Sequence, residues 1–153
     1  MIKYKFLLIS LFSVFTHATD ITIDNLSNDY VSKLYKGMIF STGEDDYYQS
    51  KMKIVQKEKK LFSVTIYIKA SNGQHCQIAP GRRSGSAEPI TMKYVKNKNH
   101  LELLDKKTYG KCDLKLIIEK DKIRLSDKNE YCYKEFMCGV RAHIDNKIFF
   151  IKK

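Results

Sequence analysis

The sequence predicts an all-β fold: an antiparallel meander closing as a small eight- to nine-stranded barrel or sandwich, with one short N-terminal helix preceded by a signal-peptide helix. Three observations predict it. Apolar residues alternate with polar ones at a period of two through most of the chain. Turn-forming residues recur at about eight to twelve positions, and no stretch has the strand-helix-strand spacing of a parallel sheet.

The first element is a targeting segment. Residues 1–5 carry two lysines, residues 6–15 are an apolar run too short to cross a bilayer as an anchor, and Thr16-His17-Ala18 ends on a small residue. A secretory signal peptide, residues 1–18, is therefore expected, with a single barrel-like domain over residues 19–153 and no transmembrane span. A periplasmic or secreted location follows from export.

Ile21 and Ile23 alternate with Thr22 and Asp24, which suits a short strand or extended arm. Leu26, Tyr30 and Leu34 then recur at four-residue spacing, with Ser27 or Asn28 as a candidate cap and Gly37 placed to end the turn. This spacing predicts the short helix, over residues 29–36. Ser41-Thr42-Gly43-Glu44-Asp45-Asp46-Tyr47-Tyr48 reads as a polar loop with three consecutive acids. Next, Met52, Ile54 and Gln56 alternate with lysines, Lys57-Glu58-Lys59-Lys60 turns the chain, and Phe62, Val64, Ile66 and Ile68 share one face of a returning strand. That hairpin is the clearest in the chain.

Ser71-Asn72-Gly73 is a turn, because asparagine and glycine accept left-handed backbone. A strand with Cys76 and Ile78 should follow and stop at Pro80; the loop after it contains Arg82 and Arg83. Ile90, Met92 and Tyr94 alternate, Lys96-Asn97-Lys98-Asn99 turns, and Leu101 and Leu103 resume. The terminal unit is predicted as strands 112–118 and 123–126 about a turn at Asp121, a loop 132–138, and a closing strand 148–152.

Cleavage after Ala18 removes Lys3 and Lys5 and no acid, leaving 26 basic residues against 17 acidic ones, a formal charge of +9. Such a charge favours anionic partners and says nothing of fold. A lysine-rich proteome would produce the same excess with no function attached to it. Four cysteines in an exported chain point to two disulfides among Cys76, Cys112, Cys132 and Cys138. The preferred pairing of the three is Cys132 with Cys138, across a short loop, and Cys76 with Cys112. No Cys-x2-Cys spacing is present, and Glu44, Asp45 and Asp46 supply too few oxygen ligands for calcium, so neither a metal nor a cofactor is expected.

Catalytic patterns are sparse. Ser84 and Ser86 lie near glycines but without a nucleophile elbow, and the Arg82-Arg83 loop lacks the lysine and helix of a phosphate-binding loop. A small secreted nuclease is the enzymatic alternative, with Glu130, Arg141 and His143 as its residues. A non-enzymatic binding module is preferred. Arg82 and Arg83 offer planar donor forks for a carboxylate or phosphate, and Tyr47 and Tyr48 offer large contact area at low entropic cost, beside Glu44, Asp45 and Asp46. An alternative is a basic envelope protein that binds anionic lipid or nucleic acid, hinted at by Tyr67 with Lys69 and Tyr133 with Lys134.

Gly110-Lys111-Cys112-Asp113-Leu114-Lys115-Leu116, Cys132, and Cys138-Gly139-Val140-Arg141-Ala142 resemble segments of small exported bacterial β-proteins, some of which look like periplasmic lysozyme inhibitors. The resemblance covers the last third to half of the chain. It implies an eight-stranded antiparallel barrel, no catalysis, and a loop inserted into an enzyme's active-site cleft. The Ser-Gly-x-x-Tyr type of inhibitory loop has a distorted counterpart at Ser41 to Tyr48. A basic inhibitor pairs poorly with a basic lysozyme, so the implied target is another cell-wall hydrolase or a delivered toxin.

Overall fold

A computed structural model describes residues 20–38, 42–70, 74–78, 89–136, 138–139 and 142–153. The expected signal peptide, the Ser71-Asn72-Gly73 turn and the Arg82-Arg83 loop lie outside the described residues. In chain order the elements are β1 (Asn28–Val31), β2 (Tyr35–Met38), β3 (Asp45–Tyr48), β4 (Lys51–Glu58), β5 (Leu61–Lys69), β6 (His75–Ile78), β7 (Ile90–Val95), β8 (His100–Leu103), β9 (Lys115–Ile118), β10 (Ile123–Ser126), the short helix α1 (Tyr131–Glu135) and β11 (Ile148–Ile151).

Nine of the strands form one antiparallel sheet in the order β4-β1-β11-β10-β9-β8-β7-β5-β6, and β4 also pairs with β5. That second pairing closes an eight-stranded barrel and leaves β6 as an extra strand on β5. The length of β5 makes both possible: Leu61 to Val64 pair with β7, while Ile66 to Lys69 pair with β6. Closure satisfies backbone groups that an open sheet would expose.

Strand alternation fills the interior. Phe62, Val64, Ile66 and Ile68 are all fully buried, as the period-two pattern predicts, with Leu114, Leu116, Ile118, Ile123, Leu125 and Phe149 in the same core. Each such side chain is worth about 1.5–3 kcal/mol relative to exposure. Tyr30 is also buried; its hydroxyl donates to the Leu26 carbonyl at 2.8 Å, and burial pushes the phenol's pKa up.

The helix expected over residues 29–36 is not formed; β1 and β2 occupy that stretch. Leu26 and Tyr30 are buried, but Leu34 is 62% exposed, so the third member of the helical stripe faces solvent. An isolated two-turn helix is marginal in water, whereas β1 pairs on both sides, with β4 and β11. The extended start over residues 21–26 is a 3-10 turn, Ile23–Asn25, in which Asn25 Oδ1 accepts from the Thr22 N–H at 2.7 Å. Residues 112–114 stay outside β9, which begins at Lys115.

Two disulfides form, joining Cys76 to Cys138 and Cys112 to Cys132. The preferred pairing was therefore wrong. The segment expected to be a loop starts with α1, whose first turn is organised by Asp127: its carboxylate accepts the N–H groups of Cys132 and Tyr133, each at 3.3 Å. Cys132 and Cys138 sit at opposite ends of this turn and are delivered to different partners. Cys138 meets β6, where Gly139 N–H donates to the His75 carbonyl at 3.3 Å. A Cβ on Gly139 would come within 2.7 Å of Gln74 Cβ, so close approach of the two segments requires a glycine here.

Candidate binding site

The acidic run Glu44, Asp45, Asp46, Tyr47, Tyr48 is not a loop. From Asp45 to Tyr48 it is β3, paired with β2 in a separate two-stranded sheet. β2 and β3 continue the hairpin begun by β1 and β4 beyond the barrel pairing. Val31 pairs with Lys51 and Tyr35 with Tyr48, so Ser32, Lys33 and Leu34 on one strand oppose only Gln49 and Ser50 on the other. One extra residue makes a bulge, which bends the hairpin into an arm and turns Leu34 outward.

Hydrogen bonds fix the neck of this arm. Ser32 N–H donates to the Ser50 carbonyl at 2.9 Å, and Ser50 N–H donates to Ser32 Oγ at 3.0 Å. The Gln49 side-chain amide donates to the Ser32 carbonyl at 2.9 Å, and Lys69 N–H on β5 donates to Ser50 Oγ at 3.2 Å. Both serines are buried. Ser50→Ala removes the acceptor of the part-buried Lys69 N–H and is expected to destabilise the fold by about 1 kcal/mol, read by urea unfolding. An unchanged midpoint would show that the neck bond contributes nothing.

Direct cross-strand partners share a face, which sorts the arm's side chains. Tyr35, Tyr48, Gly37 and Asp46 are on one side; Lys36, Tyr47 and Asp45 are on the other. The first side docks: Asp46 meets Lys69 at 3.0 Å, Tyr35 stacks on Tyr48 with centroids 5.6 Å apart, and Lys147 Nζ lies 5.7 Å from the Tyr35 ring centre. Burial pulls the Lys147 pKa below the usual lysine range, because desolvation disfavours the ammonium form. The second side faces solvent, with Tyr47 60% exposed and Lys36 bridging Asp45 at 2.6 Å.

The three acids are therefore not a free negative patch. Lysines offset Asp45 and Asp46, and only Glu44 has no cation partner among the described residues. Of the contact residues expected from sequence, the structure gathers Glu44, Asp45, Asp46, Tyr47 and Tyr48 on the arm, and of the two tyrosines it leaves Tyr47 exposed. Sequence reasoning missed Leu34 and Tyr35. A signal existed in the apolar Leu34-Tyr35 pair opposite Tyr47-Tyr48, but it was absorbed into the helical reading.

The other candidates are dispersed. His143 Nδ1 lies 3.8 Å from Glu130 Oε1 with both side chains exposed, Tyr133 stacks with His143, and Arg141 lies outside the described residues. Tyr67 stacks on His75, while Lys69 is taken by Asp46. Among the described residues no group of three or more His, Cys, Asp or Glu could hold a metal ion.

His100, on the outer wall of β8, is buried with Nε2 lacking a hydrogen-bond partner, 3.9 Å from Glu102. Burial lowers its pKa, Lys115 and Lys98 add to the fall, and Glu102 opposes it. Because the folded pKa lies below the ordinary 6.5, the unfolded chain takes up this proton first. The associated stability is present above that value and is lost as pH falls through it. Glu102 and Asp113 have lowered pKa values and lose their stabilising effect only in the more acidic carboxylate range. His100→Asn should flatten the fall in unfolding free energy between about pH 7.5 and 5.5, whereas an unchanged slope would reject the assignment.

Fold and site together define a disulfide-bonded β-barrel with a bent, tyrosine-bearing hairpin arm. No protein-family model, curated protein or solved structure matches the chain.

Proposed function

We propose that the protein is a non-enzymatic binding module that acts outside the cytoplasm, inserting its β2–β3 arm into a cleft of a protein partner and inhibiting it. The observation that carries this reading is the exposure of Tyr47 and Leu34 on an arm held at its neck by Ser32 and Ser50 and along its inner face by Lys69 and Lys147. A pre-positioned aromatic loses little freedom on binding, which is how a small contact gains affinity. The two disulfides are consistent with a non-cytoplasmic, oxidising compartment. No helix among the described residues is long and apolar enough to cross a membrane.

The partner class is a cell-wall hydrolase or a delivered toxin, by likeness to the lysozyme inhibitors at the residues quoted above. The offset acids favour recognition by shape and aromatic contact over recognition by charge. Immobilised, oxidised protein challenged with envelope extract and with purified peptidoglycan hydrolases tests this. Retention through high salt of a hydrolase whose activity falls on binding supports the proposal. Retention of nothing but lipid or nucleic acid, released by salt, would overturn it.

The second reading, association with anionic lipid or nucleic acid, draws support from one surface. Lys51, Lys53 and Lys152 border an outer-wall groove of about 460 Å³ with Tyr67, and none of the three has a carboxylate partner among the described residues. A steep loss of binding with salt is its signature.

A further inference from the structure

On the outer wall of β8, β9 and β10, a cavity of about 310 Å³ is lined by Lys98, His100, Lys111, Lys115, Ser126 and Lys128, and also by Asp113 and Asp127. Four ammonium groups thus face two carboxylates. Both carboxylates are already engaged, Asp113 in part by Lys115 of this same lining. Asp113 accepts from Lys106 at 2.9 Å and from Lys115 at 2.5 Å, and Asp127 turns both oxygens to the first turn of α1. Lys98, Lys111 and Lys128 have no carboxylate partner among the described residues; Lys111 lies 5.6 Å from the centre of the Tyr131 ring. Holding unpaired cations around one concavity costs like-charge repulsion, which an anion would reverse.

We propose that this cavity binds the phosphate group of a small phosphate monoester. Lysine serves such a group as a point charge, and the Ser126 hydroxyl, on a buried residue at the cavity wall, supplies a neutral donor. The volume lies at the lower end for small-molecule sites and leaves room for a short attached group beside the phosphate. The orphaned Nε2 of His100 is a second, independent observation. With Lys98 and Lys115 beside it, the imidazole stays neutral while the cavity holds no anion, and its Nε2 stands 3.9 Å from Glu102. An anion that offsets those lysines favours the imidazolium, and Nε2–H then gains Glu102 as an acceptor. The site lies on strands other than those carrying the arm, and the proposal is independent of the function proposed above.

The test titrates the oxidised protein with glycerol 1-phosphate and, separately, with inorganic phosphate, following the His100 ring resonances by NMR and the heat of binding by calorimetry. Vesicles containing phosphatidic acid form a third arm, since a lipid head group carries the same chemistry. Saturable one-to-one binding is expected, with a downfield shift of His100 and binding roughly tenfold weaker in Lys98→Gln/Lys111→Gln/Lys128→Gln. Vesicle retention competed by glycerol 1-phosphate would assign the group to a lipid, and no retention would assign it to a soluble ligand; either supports the site. Equal weakening in Lys51→Gln/Lys53→Gln/Lys152→Gln would overturn it, because net charge rather than the cavity would then be responsible. No saturable change at His100 up to millimolar phosphate or ester would overturn it as well.

Discussion

Removing the Cys76–Cys138 bridge by a Cys76→Ala/Cys138→Ala double substitution is expected to cost more stability than removing Cys112–Cys132. The two bridges span sequence separations of 62 and 20 residues. Loop-closure entropy gives about 4 kcal/mol for the longer and about 3 kcal/mol for the shorter. For a folded unit of this size, the larger loss corresponds to a fall of roughly 10–15 °C in Tm, measurable by calorimetry. Location adds to the difference. β6 pairs within the sheet only with β5, and the bridge holds its Cys76 against the Cys138-Gly139 segment, where His75 receives the Gly139 N–H. Peptide mapping of the intact protein should recover Cys76 linked to Cys138. A fragment linking Cys132 to Cys138, or a larger loss for the shorter bridge, would reverse the assignment.

The pairing also shows where the sequence stops being legible. Phe62, Val64, Ile66 and Ile68 declare their strand because one face of β5 is wholly buried and the chemistry must alternate with the pleat. The same holds for Leu116 and Ile118 opposite Leu125 and Ile123, whose register the turn at Asp121 already implied. Disulfide connectivity has no such local cause. It depends on α1, and α1 depends on one buried aspartate accepting two backbone N–H groups, a signal carried by Asp127 alone. Burial pushes that carboxyl's pKa up while the two N–H groups pull it down, so the turn rests on a carboxylate whose own burial opposes its charge.

The arm departs from the expected loop for a different reason. β2 and β3 pair only with each other, and only their inner face meets the barrel. With so little buried area there is no selection for strict alternation, and Asp45-Asp46-Tyr47-Tyr48 looks like a solvated loop. Upstream, Leu26, Tyr30 and Leu34 fall at a helical interval because two of them enter the core and the third is displaced by a bulge. Asp45 to Tyr48, expected as a contact loop, therefore form one strand of the arm instead. Which of them is free to meet a partner follows from cross-strand register, which the sequence reading never assigned to this segment.

Tyr47→Ala is expected to weaken binding to the captured hydrolase by about 2 kcal/mol or more, roughly 30-fold in Kd, while leaving Tm within the small range typical of surface substitutions. The expectation follows from the sorting of the two faces. Tyr47 is 60% exposed with no stacking partner among the described residues, so its ring contributes little to the folded chain and is available to a cleft. Tyr35 is the internal contrast: it is 45% exposed, but its ring stacks on Tyr48 and lies beneath Lys147, so Tyr35→Ala should lower stability together with affinity. Replacing Asp46 would be a poor probe of contact, because its bond to Lys69 sets the arm's orientation. Kd by calorimetry and Tm by thermal scan on the two tyrosine variants separate the roles. If Tyr47→Ala leaves Kd unchanged while raised salt abolishes binding, the arm is not the contact surface and the lysine-bearing outer wall becomes the place where a partner meets this protein.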